Sequence, residues 1–290
     1  MNTIIFSLSN NFDTYFNSKN TRKIELIILR IAVFSFLLHL LLIFLGNNFL
    51  FFQHFQHSYL KAIYTPFSFI LFYEVFLLII IIPKSISEFI GKQFEVITLI
   101  TLRSFFHDIA ELDLKESFTI YNTDFISLIY DLCAAILMLS LTILYYKIYQ
   151  NNGKSDTINQ LNNFIQIKKM VSIGMILILL LLSVFSFYNW SYDMLLAIET
   201  GNNFPSSNAV FYSDFFSIMI FVDVLLLIIS FTYHFSFFTI FRNASFIITT
   251  ILIRMSLTIE KPMNYILILI GFLFSIFSFY LFGLRKKIGQ

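Results

Sequence analysis

Residues 67–79 read FSFILFYEVFLLI, and the apolar run continues beyond them to Pro83. The single charged residue of the stretch is Glu74. A helix needs about 20 apolar residues to cross a hydrocarbon core about 30 Å thick. A carboxylate in the middle of such a helix is costly unless it faces a bundle interior or a wet cavity. The pattern recurs: residues 216–228 read FSIMIFVDVLLLI, align without gaps to 67–79 with seven of thirteen positions identical, and place Asp223 on Glu74. Further on, VITLITLR at 96–103 aligns to IITTILIR at 247–254 and places Arg103 on Arg254. Shared apolar character alone does not align rare charges, so the chain reads as an internal duplication.

The composition around these stretches is that of a membrane protein. Of 290 residues, 58% are hydrophobic, 12% are charged and 39 are Phe, which excludes an ordinary soluble domain. The alternating pattern of a transmembrane β-barrel is absent. Hydropathy predicts six strong spans, about 24–46, 62–83, 124–149, 166–190, 213–234 and 262–283, and two weaker ones at 87–107 and 236–257. The weaker segments carry polar and charged residues.

Positive charge chooses between six crossings and eight, because short cytoplasmic loops retain Lys and Arg. With eight crossings and an inner N-terminus, 13 of the 19 Lys and Arg residues fall inside. The outer loops then hold only Lys61, Lys115 and Lys261. With six crossings the loop containing Lys147, Lys154, Lys168 and Lys169 moves outside and the bias largely disappears. The acidic segment from Asp108 to Asp124 falls outside in the eight-crossing arrangement. Residues 1–20 are polar and Asn-rich and lack a signal-peptide core, so the first span is expected to act as its own insertion signal. The lone Cys133 excludes an internal disulfide.

Each half then holds four crossings, an even number. The halves share one orientation about an axis along the membrane normal. The predicted fold is all-α and polytopic, with eight transmembrane helices in two parallel four-helix repeats and both termini cytoplasmic. Residues 1–23 form a cytoplasmic N-terminal segment, 24–149 the first repeat, 150–165 a cytoplasmic linker, and 166–290 the second repeat with its basic tail.

The recurring unit has an acid in its second helix, an arginine late in its third and a closing helix with a basic tail. It resembles the PsiE family of small four-helix membrane proteins. The resemblance rests on FVDVLLLI, RNASFIITTILIRMSLTIEKPMNYILILIGFLFSIF and LRKK in the second half, and on FYEVFLLI and EVITLITLRSFFHD in the first. It covers residues 25–149 and 166–288, as a tandem fusion of two units. It implies a four-helix fold per unit and a bacterial inner-membrane location, and little about mechanism.

Five charged residues are the candidate site. Glu74 and Asp223 fall near their helix midpoints. Arg103 and Arg254 lie outward of theirs, and Asp131 is at about the depth of Arg103. Ser127 stands one turn before Asp131. Two readings compete. In the first, these are buried ion pairs that fix packing, Arg103 with Asp131 or Asp108 and Arg254 with Glu260. In the second, Glu74 and Asp223 line a hydrated path, and in an oligomer they form a carboxylate ring that selects cations. Arg30, near the cytoplasmic end of the first helix, can reach inner-leaflet phosphates, with Glu25 near it, and His39 reads as a hydrogen-bonded packing residue. His54 and His57 have no third ligand, so no metal is expected. Lys147, Lys154, Lys168 and Lys169 are candidates for contact with a cytoplasmic regulatory protein or an anionic ligand, although positive-inside placement is the simpler explanation for them. Nucleic acid is a poor fit, and the linker has no Gly-rich phosphate loop.

No catalytic constellation or nucleotide fingerprint stands at usable spacing, so a non-enzyme without cofactor is expected. The leading expectation is an ion-permeation channel, or a membrane-disrupting effector controlled by a separate partner in bacterial stress or defence, assembled as a homo-oligomer in the lipid bilayer. The alternatives are a non-conducting membrane scaffold and a secondary transporter.

Overall fold

In hydrocarbon every backbone N–H and C=O must find its partner within the segment, so long Leu-, Ile- and Phe-rich runs fold as helices. The computed structural model describes residues 12–48, 59–111, 123–152, 162–200, 208–233 and 237–288. Eight long helices lie among them: α1 Ser18–Asn48, α2 Lys61–Ile80, α3 Ile86–Glu111, α4 Thr123–Asn152, α5 Asn162–Thr200, α6 Asn208–Tyr233, α7 Phe237–Ser256 and α8 Met263–Ile288. There is no strand among the described residues. His54, His57, Lys115 and Lys154 lie outside them, as does most of the acidic segment that precedes α4.

Five helices are long and apolar enough to cross a membrane, in Lys19–Asn48, Phe125–Gln150, Asn163–Ser186, Asp214–Thr232 and Met263–Leu284. They correspond to five of the six strong spans. The sixth, predicted over 62–83, ends earlier: its apolar helical part is Thr65–Ile80. Residues 81–84 form a turn at Pro83, whose ring disfavours helix in the residue before it. The weaker segments fold as α3 and α7. Ser85 starts α3 as its cap, accepting the Glu88 N–H at 3.2 Å, and Glu88 supplies the acid expected in a first turn.

The chain divides into two compact units, one of 1–13, 79–93 and 141–290, the other of 14–78 and 94–140. The units do not follow the sequence halves. The start of α3 and the end of α4 pack with the second half.

In the first unit α5 holds the end of α2. Lys168 and Ser172 are one helical turn apart on one face and both are buried. Ser172 donates to the Ile79 carbonyl at 3.1 Å and Lys168 Nζ to the Lys84 carbonyl at 2.9 Å. The Ile79 carbonyl also accepts the Ile82 N–H at 3.2 Å, so Ser172 adds a second donor there, while Lys168 ties down the turn between α2 and α3. Tyr145 of α4 is fully buried and donates to the Ser87 carbonyl at 2.9 Å. Its ring lies 5.7 Å from Phe279 of α8, and Phe246 of α7 meets the same ring at 5.8 Å. The α7–α8 approach is close because position 271 is glycine: a Cβ there would lie 3.3 Å from Ile253 Cγ1. Small residues serve this purpose at membrane helix crossings.

In the second unit, Phe67 of α2 stacks on Phe106 of α3 at 4.2 Å, and His39 of α1 meets the Thr65 hydroxyl at 2.6 Å. Tyr73 donates to Glu25 at 3.4 Å. Thr101 of α3 lies 3.3 Å from Met138 Sδ of α4.

Gly91 and Gly174 make a matched test of this packing. A Cβ at Gly91 would stand 2.8 Å from Tyr146 Oη, whereas at Gly174 it would meet nothing within 4 Å. Gly91→Leu is expected to destabilise the protein by about 1–3 kcal/mol through overpacking. Gly174→Ala is expected to leave stability unchanged or raise it by up to about 1 kcal/mol through helix propensity. Thermal unfolding of both variants in detergent measures the contrast.

Candidate functional site

The site is built on α7, whose sequence reads as a weak span because its polar residues face the protein. Arg242, Asn243, Ser245, Thr249, Thr250, Arg254 and Ser256 are all buried. At 100° per residue they occupy one half of the helix circumference. Phe241, Ile248 and Met255 occupy the other half and are exposed. Average hydropathy falls, yet the surface this helix presents outward is apolar. The hydroxyls are satisfied within the helix, with Ser245 donating to the Phe241 carbonyl, Thr249 to Ser245 and Ser256 to Ile253.

Arg254, in the last turn of α7, meets Asp223 of α6. Nη1 lies 2.5 Å from Oδ2, and the two side chains are 3% and 2% exposed. Asp223 sits just past the middle of α6, and residues 234–236 separate the two helices. Expected pairing of Arg254 with Glu260 does not occur: Glu260 is exposed in the turn before α8. Burying both charges together avoids leaving either alone in a low dielectric, where a lone ion costs several kcal/mol.

Asp223 also lines a cavity of about 30 Å³. Lys168 and Thr250 are its other polar lining residues, and the rest of the wall is apolar, chiefly Ile86, Phe89, Phe164, Leu226 and Ile247. Lys168 is held by the Lys84 carbonyl and by the Phe164 ring, 4.7 Å from its ammonium. Thr250 Oγ1 lies 2.8 Å from Gln93 Oε1 of α3 and 3.1 Å from the Phe246 carbonyl, so two acceptors share its proton. No protein group among the described residues hydrogen-bonds Asp223 Oδ1 or Arg254 Nη2, both buried.

The structure therefore brings Asp223, Arg254 and Lys168 together. Gln93 and Thr250 complete the group, and sequence reasoning did not single them out. The available signal was the polar stripe of α7 at helical spacing, 243, 250 and 254 alongside 242, 245 and 249. In the second unit, Glu74 is half-buried on α2, Arg103 is buried on α3 and Asp131 is fully buried on α4. Ser127, one turn before Asp131, donates to Asp108 at 2.7 Å, and His107 lies 3.6 Å from the same carboxylate. Of the cytoplasmic lysine candidates, Lys147 is exposed and Lys168 is buried in the cavity wall. Lys169 pairs with Asp13 at 2.5 Å.

No protein-family model, curated protein or solved structure matches the chain.

The ion pair has a definite mutational signature. Removing one partner leaves the other charged and buried, so Asp223→Asn and Arg254→Gln are each expected to cost about 3–5 kcal/mol. Replacing both is expected to restore most of that loss, giving a large coupling in a double-mutant cycle. Unfolding of the four proteins in detergent measures it, and additive losses are the contrary result.

Proposed function

We propose that the chain is an ion-permeation protein of the membrane, formed from two PsiE-like repeats with eight crossings and both termini cytoplasmic. In a bacterial stress or defence setting, this activity takes the form of an effector restrained by a separate regulator. The observation that carries the reading is the position of Asp223. It stands within an apolar helix of membrane-spanning length, and it lines a cavity in company with Lys168 and Thr250. A residue needed only to neutralise Arg254 has no requirement to stand beside a cavity. Intramembrane acids beside a cavity are characteristic of ion and proton paths.

The ion pair itself favours a second reading, a membrane scaffold in which Asp223 and Arg254 lock α6 to α7. The two readings separate in the double variant Asp223→Asn/Arg254→Gln, which removes the charges together and so keeps the fold. Current across planar bilayers containing the purified wild-type chain, lost in the double variant, supports permeation. Wild-type protein that passes no current at any voltage, with a biological phenotype unaltered in the double variant, returns the reading to the scaffold.

A further inference from the structure

We propose that one end of the first unit is a docking surface for phospholipids of net negative charge, with Lys84 and Lys147 as the cations that meet the headgroup phosphate. The inference goes beyond the permeation reading and does not depend on it.

The first observation is placement. Contacts between residues far apart in sequence gather several helix ends into one layer. Tyr145, near the end of α4, donates to the Ser87 carbonyl at the start of α3 at 2.9 Å. Tyr146 lies against Gly91 of α3. The rings of Tyr145 and Tyr149 lie 5.7 and 6.1 Å from that of Phe279, near the end of α8. Arg242, near the start of α7, lies over the Phe282 ring of α8 at 4.6 Å. Lys168, near the start of α5, reaches the Lys84 carbonyl. Lys84 and Lys147 thus stand at one level, each within three residues of the Tyr145–Ser87 bond. Helix α8 runs on from the same layer into Arg285, Lys286 and Lys287.

The second observation is charge. Lys168 and Arg242 are buried, and Lys169 is held by Asp13. Lys84 and Lys147 are exposed, and neither has an ion-pair partner among the described residues. Asp13 and Glu88 are the acids of the described residues at this end. Asp13 is taken by Lys169, and Glu88 is half-buried in the first turn of α3 without pairing to Lys84. Basic charge therefore exceeds acidic charge in this layer, and its two exposed lysines are left for a partner outside the chain.

The third observation is depth. Tyrosine rings settle at the headgroup level of a bilayer. Tyr146 and Tyr149 flank Lys147 along α4, and both are half-buried. An ammonium on a flexible stem at that level reaches lipid phosphate directly. Positive-inside placement accounts for the side on which lysines lie, and it leaves their charge to be balanced. A zwitterionic headgroup brings its own cation with each phosphate. An anionic headgroup brings net negative charge, so charge complementarity selects it.

Native mass spectrometry of the full-length protein in detergent, titrated with phosphatidylglycerol or with phosphatidylcholine, resolves individual lipid-binding events and tests this. Phosphatidylglycerol is expected to bind more tightly than phosphatidylcholine. Lys84→Gln and Lys147→Gln are each expected to weaken phosphatidylglycerol binding about fivefold, the usual worth of one basic residue beside anionic lipid. Both side chains are exposed, so neither substitution threatens the fold. Lys261→Gln, at the exposed turn before α8 and so at the opposite end of that helix, is expected to leave binding unchanged. Equal affinity for the two lipids overturns the inference and leaves the lysines as topology signals alone. A phosphatidylglycerol preference that survives both lysine variants, or that falls equally in Lys261→Gln, also overturns it. No ion current is read in this experiment, so the permeation reading and this one fail separately.

Discussion

A guanidinium and a carboxylate can be taken out of water only together, and the arrangement of α6, α7 and α8 depends on that constraint. Arg254 and Asp223 are almost fully enclosed and in contact. Joining them fixes how far α7 lies along α6 and turns the polar half of α7 inward. Once that half is inward, Phe241, Ile248 and Met255 must face outward. The opposite rotation would expose two arginines and several hydroxyls to hydrocarbon. Gly271 then lets α8 approach the flank of α7 within van der Waals contact. Rotation, register and close packing of three helices thus follow from one pair of charges.

A second constraint acts on the backbone. Helix α2 ends at Ile80 and the chain turns at Pro83. Lys168 and Ser172 of α5 hold this turn, donating to the carbonyls of Lys84 and Ile79. A lysine that looks in sequence like an ordinary cytoplasmic charge is instead a buried donor in the wall of the cavity that Asp223 lines. The same contacts explain why a compact unit gathers the end of α2 and the start of α3 with the second half of the chain.

Much of this was legible before any tertiary contact was known. The positions of α1, α4, α5, α6 and α8 follow from apolar length alone, because a run of that length has no soluble alternative. Asp223 and Arg254 stood out as rare charges at matched places in two similar stretches. Glu260 was the nearer acid to Arg254 in sequence, and proximity along the chain misled: Glu260 is exposed in a turn, whereas Asp223 is buried beside Arg254. The α7 segment looked marginal because hydropathy averages around the helix and does not distinguish a polar face turned inward from one turned outward. Gln93 and Thr250 escaped notice because single amides and hydroxyls are common in membrane helices and acquire meaning only when they meet.

The sequence by itself determined an all-helical chain with apolar segments of membrane length and a few ionisable residues that hydrocarbon cannot accept singly. That follows from local free energies: apolar transfer, backbone hydrogen bonding and the cost of a lone charge are properties of each segment. Only the tertiary structure decided which acid neutralises Arg254, which lysine holds the turn after α2, and that Asp223 is among the residues around a small cavity. Those outcomes depend on the distances between groups far apart in the chain. An ion pair or a hydrogen bond is worth its energy only at contact distance, and no spacing along a sequence fixes which groups reach it.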